Sequence, residues 1–370
     1  MPQARLTSVG APSAVFRQSL FEVDGQFTTD IGGTPRANVG ERSKLNMKRI
    51  LSIDGGGLKG ALPAAFLAEI EEATGERIVD HFDLIAGTST GGIIAIGLGL
   101  GIPARTILDF YVNEGPAVFR QDRPHLWVVE KLYRAARRVR RAKYAPDRLK
   151  RALSGILGDS RIGDSATRLL IPAYNSNRRA VHVIKTAHHP RFERDWQLSA
   201  VDAALATAAA PTYLPQHVME NYIGLIDGGV WANNPCGLAA VEAAAVLKWD
   251  MAETKMLSLG CTEIALLLRK SSGLRDTGAI IEVMMQGQSF GAEGTATLLL
   301  EHPHARSAFF RVNPVMPEGY ASLDDASKIR DLAGLGRGEA RSALPTIRRE
   351  FLGTPVLPFV PCHADRAAAE

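Results

Sequence analysis

A chain of 370 residues can hold one large domain or two small ones, each with a buried core, and one domain is the simpler expectation. Its 46% apolar and 22% charged residues exclude a disordered polymer, and no run of about eighteen apolar residues offers a membrane-spanning helix. The formal charge of +4 is too small to call for a nucleic-acid polymer as partner.

Residues 1–46 mix Gly, Pro, Ser and Thr with isolated apolar residues in neither helical nor strand period, and are expected to be mostly unstructured. They lack the basic and apolar regions of a signal peptide, so cytoplasmic residence is the expectation. Met47 stands directly before a strand pattern and is an alternative translation start. Residues 49–53 predict a strand, 61–74 a helix after a glycine loop, 82–86 a second strand and 90–100 an apolar helix. This βαβα order predicts an α/β fold, with a mostly parallel central sheet and helices on both faces.

Residues 126–153 form a basic section in which Lys131, Arg134, Arg137, Arg138, Arg140 and Arg141 alternate with Val129, Leu132, Tyr133, Ala136 and Val139 at helical spacing. Two readings fit: an apolar stripe packed on the sheet beneath solvated arginines, or peripheral docking on an anionic membrane or an acidic regulator. Later strands are expected at 169–173, 181–185, 224–227 and 255–259, with helices at 199–209 and 238–248. The three cysteines, Cys236, Cys261 and Cys362, have neither CxxC nor Cys/His ligand spacing, so no disulfide framework and no metal site is indicated.

Three segments carry chemistry. The first is Asp54-Gly55-Gly56-Gly57-Leu58-Lys59-Gly60, between strand and helix, where backbone N–H groups can converge on an anion. Its GxGxxG spacing at Gly55, Gly57 and Gly60 suits a dinucleotide pyrophosphate, a nucleotide phosphate, an ester oxyanion or a plain packing turn. The second is Gly87-Thr88-Ser89-Thr90-Gly91-Gly92, a GxSxG elbow in the strand–turn–helix setting that projects a serine hydroxyl. The third is Asp227-Gly228-Gly229-Val230-Trp231-Ala232-Asn233-Asn234-Pro235, read as an aspartate ending a parallel strand and able to reach a neighbouring loop; alone, it would be an Asp-Gly turn. The nine histidines, His81, His125, His182, His188, His189, His217, His302, His304 and His363, have no distinctive surroundings, which weakens a Ser-His-Asp triad.

Together the three segments resemble the patatin-like phospholipase family, in its order, with Ala206-Thr207-Ala208-Ala209-Ala210-Pro211-Thr212-Tyr213-Leu214-Pro215 between them resembling a further family stretch. The resemblance covers about residues 48–260 and fades beyond. It implies a three-layer sandwich and a cofactor-free serine lipid acyl hydrolase, phospholipase A-like, acting on phospholipid or other acyl-lipid substrates. In that reading Ser89 attacks the ester carbonyl, Asp227 takes its proton directly, and the N–H groups of Gly55, Gly56 and Gly57 form the oxyanion hole. Asp54, Lys59, Gly60, Gly87, Gly91, Gly228 and Gly229 shape the supporting loops, and Lys59 stands where many members have Arg. The apolar Leu225, Ile226, Val230 and Trp231 are expected to raise the proton affinity of Asp227. Calcium is not implied. Bacterial relatives include membrane-degrading effectors that answer a cyclic nucleotide, which brings a small-molecule activator and peripheral membrane contact into the expectation. The corresponding division is a catalytic domain over 47–320 and a helical C-terminal extension over 321–370 packing on it. The competing readings are a nucleotide- or phosphate-binding protein using the glycine loop, which leaves Ser89 and Asp227 unexplained, and a non-catalytic lipid-binding scaffold, against which both residues argue.

Overall fold

A computed structural model of the chain describes residues 47–120, 142–220, 223–264, 277–301, 308–317, 320 and 322–362. The N-terminal 1–46 and most of the basic section, including Arg134, Arg137, Arg138, Arg140 and Arg141, lie outside the described residues. Strand β1 (Lys48–Ile53) is buried along its length after the first residue, as a strand covered on both faces must be. It is followed by α1 (Ala61–Thr74), β2 (Leu84–Gly87), α2 (Thr90–Gly99), α3 (Ala104–Asn113), α4 (Gly115–Val118) and α5 (Pro146–Leu157). Next come β3 (Arg168–Asn175), β4 (Ala180–Lys185), α6 (Ala200–Thr207), β5 (His217–Val218), β6 (Gly224–Asp227), α7 (Gly229–Ala232) and α8 (Cys236–Val241). The chain continues through β7 (Thr254–Leu259), β8 (Glu263–Ile264), α9 (Thr277–Leu300), β9 (Phe309–Val312), β10 (Val315–Met316) and α10 (Ile329–Glu350).

Among the described residues, eight strands make one sheet, with β1 between β2 and β7 and parallel to both. Strands β3 and β9 extend it in parallel on either side, and β4, β5 and β6 are added antiparallel at the β3 side. Alternate residues of each strand face opposite layers. Leu51, Ile53, Ile85, Leu169, Ile171, Leu257 and Leu259 join one core with residues of α1, α2, α3 and α10, whereas Ile50, Leu84, Ala86, Leu170 and Met256 join a second core with residues of α8 and α9. The fold is therefore an α/β sandwich of three layers around a mostly parallel sheet. Among the described residues, no helix is long and apolar enough to cross a membrane.

Two expectations need correction. The helix expected over 238–248 ends at Val241 and passes into a π turn, Glu242–Val246, whose Glu242 accepts hydrogen bonds from Lys185 Nζ (2.6 Å) and bonds His188 Nε2 (3.0 Å). The second correction matters for function: β6 is antiparallel, not parallel. Strand β2 pairs with β3 at Arg168 to Leu170, β6 pairs with β3 at Ala173 to Asn175, and β4 covers the opposite edge of β3 from Leu170 to Asn175. Strands β2 and β6 therefore lie end to end along one edge of β3, and their C-terminal ends face each other across the gap between Leu170 and Ala173. A four-residue apolar strand is buried equally well in either direction, so its composition carries no sign of polarity.

Candidate active site

The gap between β2 and β6 is where the elbow and the aspartate meet. Ser89 leaves β2 with φ 55 and ψ −120, a strained conformation for a residue with a side chain. The surroundings hold it there: Ser89 N donates to Thr207 Oγ1 (2.9 Å), Thr207 Oγ1 donates to Pro172 O (2.6 Å), and Thr88 Oγ1 donates to Ala232 O (2.6 Å). Gly91 lets α2 start against β1, because a Cβ there would lie 2.2 Å from Ile53 O. Gly87 opens the same turn.

From the other side β6 delivers Asp227, whose N donates to Ala209 O (3.0 Å). Ser89 Oγ donates to Asp227 Oδ2 (2.6 Å), and Gly229 N donates to Asp227 Oδ1 (2.6 Å). Asp227 is 4% exposed; burial pushes its carboxyl up to about 6, against the opposing pull of the Ser89 and Gly229 hydrogen bonds. Of its expected apolar neighbours, Leu225 is buried, Ile226 and Trp231 are half-buried, and Val230 is exposed. Gly228 sits against Pro172 O at the turn between Asp227 and Gly229.

The glycine loop faces this pair, since a Cβ on Gly55 would come within 3.3 Å of Ser89 Cβ. Gly55 N donates to Asn233 O (2.9 Å), which removes it from the expected set of three oxyanion donors. Among the described residues, the Gly56 and Gly57 N–H groups make no hydrogen bond, and they open the turn Gly57–Gly60 that leads into α1. Gly57 needs its φ of 58 and its bare Cα, as a Cβ would lie 2.2 Å from Leu323 O, which already accepts from Leu58 N (2.8 Å). Gly60 abuts Thr90 Oγ1, and Lys59 is buried.

Four of the five described histidines pair elsewhere: His81 with Glu76, His182 with Asp195, His188 with Glu242 and His217 with Asp202. Among the described residues no imidazole bonds Ser89 or Asp227, and no cluster of His, Cys, Asp and Glu could hold a metal ion. His125, His302, His304 and His363 lie outside the described residues. The arrangement can pass a proton from a hydroxyl to a carboxylate and offer two N–H groups nearby to a developing negative charge. Sequence reasoning missed Thr207, Asn233, Gln288 and Leu323. Thr207 and Asn233 stand inside quoted motifs, but their partners lie far along the chain; Gln288, whose Oε1 accepts from Asn233 N (2.6 Å), and Leu323 stand in stretches with no motif.

Residues 51–240 match the patatin-like phospholipase family. The chain belongs to that family. It is 36% identical over 224 residues to a cGAMP-activated phospholipase of Vibrio cholerae, covering 57% of this chain and 62% of the relative. A cGAMP-activated phospholipase of Pseudomonas aeruginosa is 36% identical over 233 residues, 61% of this chain and 66% of its own length. Patatin-like protein 2 of Arabidopsis thaliana is 37% identical over 221 residues, 53% of each chain. The patatin-like match thus spans about half to two thirds of these relatives' lengths, and within this chain it includes both Ser89 and Asp227.

Proposed function

We propose that this chain is a serine lipid acyl hydrolase that cleaves acyl esters of membrane lipids through a Ser89–Asp227 dyad. The observation that carries the reading is the 2.6 Å hydrogen bond from Ser89 Oγ to Asp227 Oδ2, made where two strands run head to head. In the reaction, Asp227 takes the hydroxyl proton as Ser89 Oγ bonds to the ester carbonyl carbon, and the carbonyl oxygen becomes an oxyanion held by the Gly56 and Gly57 N–H groups. Collapse breaks the ester C–O bond and returns the proton to the leaving alcohol. Water then attacks the acyl-enzyme, giving its proton to Asp227, and Ser89 leaves with that proton while the free acid departs. A carboxyl pushed up to about 6 is mostly ionised at neutral pH yet basic enough to accept the proton.

Phospholipid is the substrate class that the relatives' names support, and cGAMP is the first small molecule to test as activator. The basic run between Lys131 and Arg151 supports an anionic lipid surface as the place of action. The test is hydrolysis of mixed phospholipid vesicles, anionic and zwitterionic, with and without cGAMP, with products identified by mass spectrometry. Ser89→Ala and Asp227→Asn should each lower turnover at least about a thousandfold, and the double variant scarcely further, because a dyad acts as a unit. A Ser89→Ala protein with near-normal turnover would remove the mechanism. Equal rates on both vesicle types would remove the anionic-surface reading, and no response to cGAMP would remove the activator.

A further inference from the structure

Arg311 of β9 lies beyond the family match and reaches beneath the glycine loop. Register sets it beside Ser258 of β7, and the small serine lets the guanidinium cross that strand. Its Nη1 donates to Ser258 Oγ (2.8 Å) and Asp54 Oδ1 (3.0 Å), while Nη2 donates to Asp54 Oδ2 (2.6 Å). Its Nε lies 3.1 Å from Glu293 Oε1 of α9, and that oxygen accepts from Asn234 Nδ2 (3.3 Å) and Ser289 Oγ (3.1 Å). Asn234 follows Asn233, whose carbonyl holds the Gly55 N–H. One cation thus ties the residue that opens the glycine loop to the segment that follows Asp227. The Arg311 and Asp54 side chains are 12% and 7% exposed, so salt screens the pair little, and the planar fork fixes direction as well as distance.

We infer that Arg311 is a positioning residue of the ester-cleaving site: its two-pronged hold on Asp54, together with its contact to Glu293, sets the direction in which the Gly56 and Gly57 N–H groups face Ser89. This inference rests on the reading of Ser89 and Asp227 as a hydrolytic dyad. The main chain of Asp54 is already engaged, its N donating to Leu259 O (2.9 Å) and its O accepting from Cys261 Sγ (3.4 Å), so the carboxylate is the remaining handle on the start of the loop. Lysine at 311 would supply the charge without the fork. Methionine would supply neither, and would leave Asp54 and Glu293 as carboxylates without their shared cation.

Arg311→Lys, Arg311→Met and the charge-balanced Asp54→Asn/Arg311→Met pair separate positioning from simple support of the fold. Each is assayed on a short-chain nitrophenyl ester, with folded sites counted by fluorophosphonate titration, and each is challenged with a trifluoromethyl ketone that forms a tetrahedral adduct on Ser89. Per titrated site, kcat should fall about a hundredfold in Arg311→Met and about tenfold in Arg311→Lys, with KM within about twofold and ketone inhibition weakening in step with kcat. The double variant should recover stability but not turnover. Should Arg311→Met fail to fold, the lysine and double variants carry the test alone. Wild-type kcat and ketone inhibition in folded Arg311→Lys and in the double variant would overturn the inference, as would a KM that rises at constant kcat. A wild-type protein that does not react with fluorophosphonate would remove the dyad reading itself.

Discussion

Asp227 serves two opposed demands. As the base of the proposed dyad it must be ionised near neutral pH, yet its burial favours the protonated form and pushes the carboxyl up to about 6 from 3.8. The folded state therefore holds this proton more tightly than the unfolded chain does. Below pH 3.8 both states are protonated and no penalty exists; as pH rises to about 6 the unfolded chain loses its proton first and stability falls, and above that the penalty is full. A shift of this size corresponds to about 3 kcal/mol. Asp227→Asn should abolish turnover and stabilise the fold at pH 7.5 by up to that amount, with the advantage shrinking toward pH 4. Urea unfolding at both pH values measures it, and a pH-independent difference would discard the burial account. In the wild type, kcat/KM should rise with pH along a limb centred near 6. Ser89 and Asp227 were legible because each sits in a short local string whose glycines announce a turn. The engagement of the Gly55 N–H was not, because it depends on a carbonyl at Asn233, far along the chain.

Between elements, Thr207 is the joint that matters most. Its buried hydroxyl links the end of α6 to the elbow by accepting from Ser89 N and donating to Pro172 O of β3. Thr207→Val keeps the shape but leaves a buried N–H and a buried carbonyl unpaired, at a cost of about 1–3 kcal/mol each. The strained Ser89 backbone should then relax, with kcat falling about tenfold or more and KM little changed, whereas Thr207→Ser should retain most activity. Thr207→Val with unchanged kcat would make the joint a packing feature. Helix α1 was readable to the residue because the glycine loop and Gly75 punctuate it. The polarity of β6 was not, since pairing partners and not composition decide it. Strand β9 escaped notice for a related reason: four residues, one of them Arg311, offer too short an apolar pattern to stand out.

On the scale of the whole molecule, residues beyond the family match border the candidate site. Gln288 reaches Asn233, Arg311 holds Asp54 and pairs with Glu293, and Leu323 O caps the glycine loop at Leu58 N. Helix α10 packs on α1, the helix that the glycine loop begins, and at Gly336 the two backbones approach so closely that a Cβ would lie 2.2 Å from Leu62 O. Two faces of one helix therefore allow the same substitution to be tested in opposite settings. At Gly338 of α10 an added Cβ meets nothing within 4 Å, so Gly338→Ala should stabilise the helix by about 1 kcal/mol and leave turnover alone. Gly336→Ala should instead force α10 away from α1, costing about 1–3 kcal/mol despite the better helix propensity. Because Leu62 stands one residue into α1, the displacement should also reach Gly56 and Gly57, the proposed oxyanion donors, and lower kcat per titrated site. Thermal unfolding and kcat per titrated site of the two alanine variants decide it: thermal shifts of the same sign and size would mean that the contact between α1 and α10 does not limit stability, and an unchanged kcat in Gly336→Ala that it does not set the glycine loop.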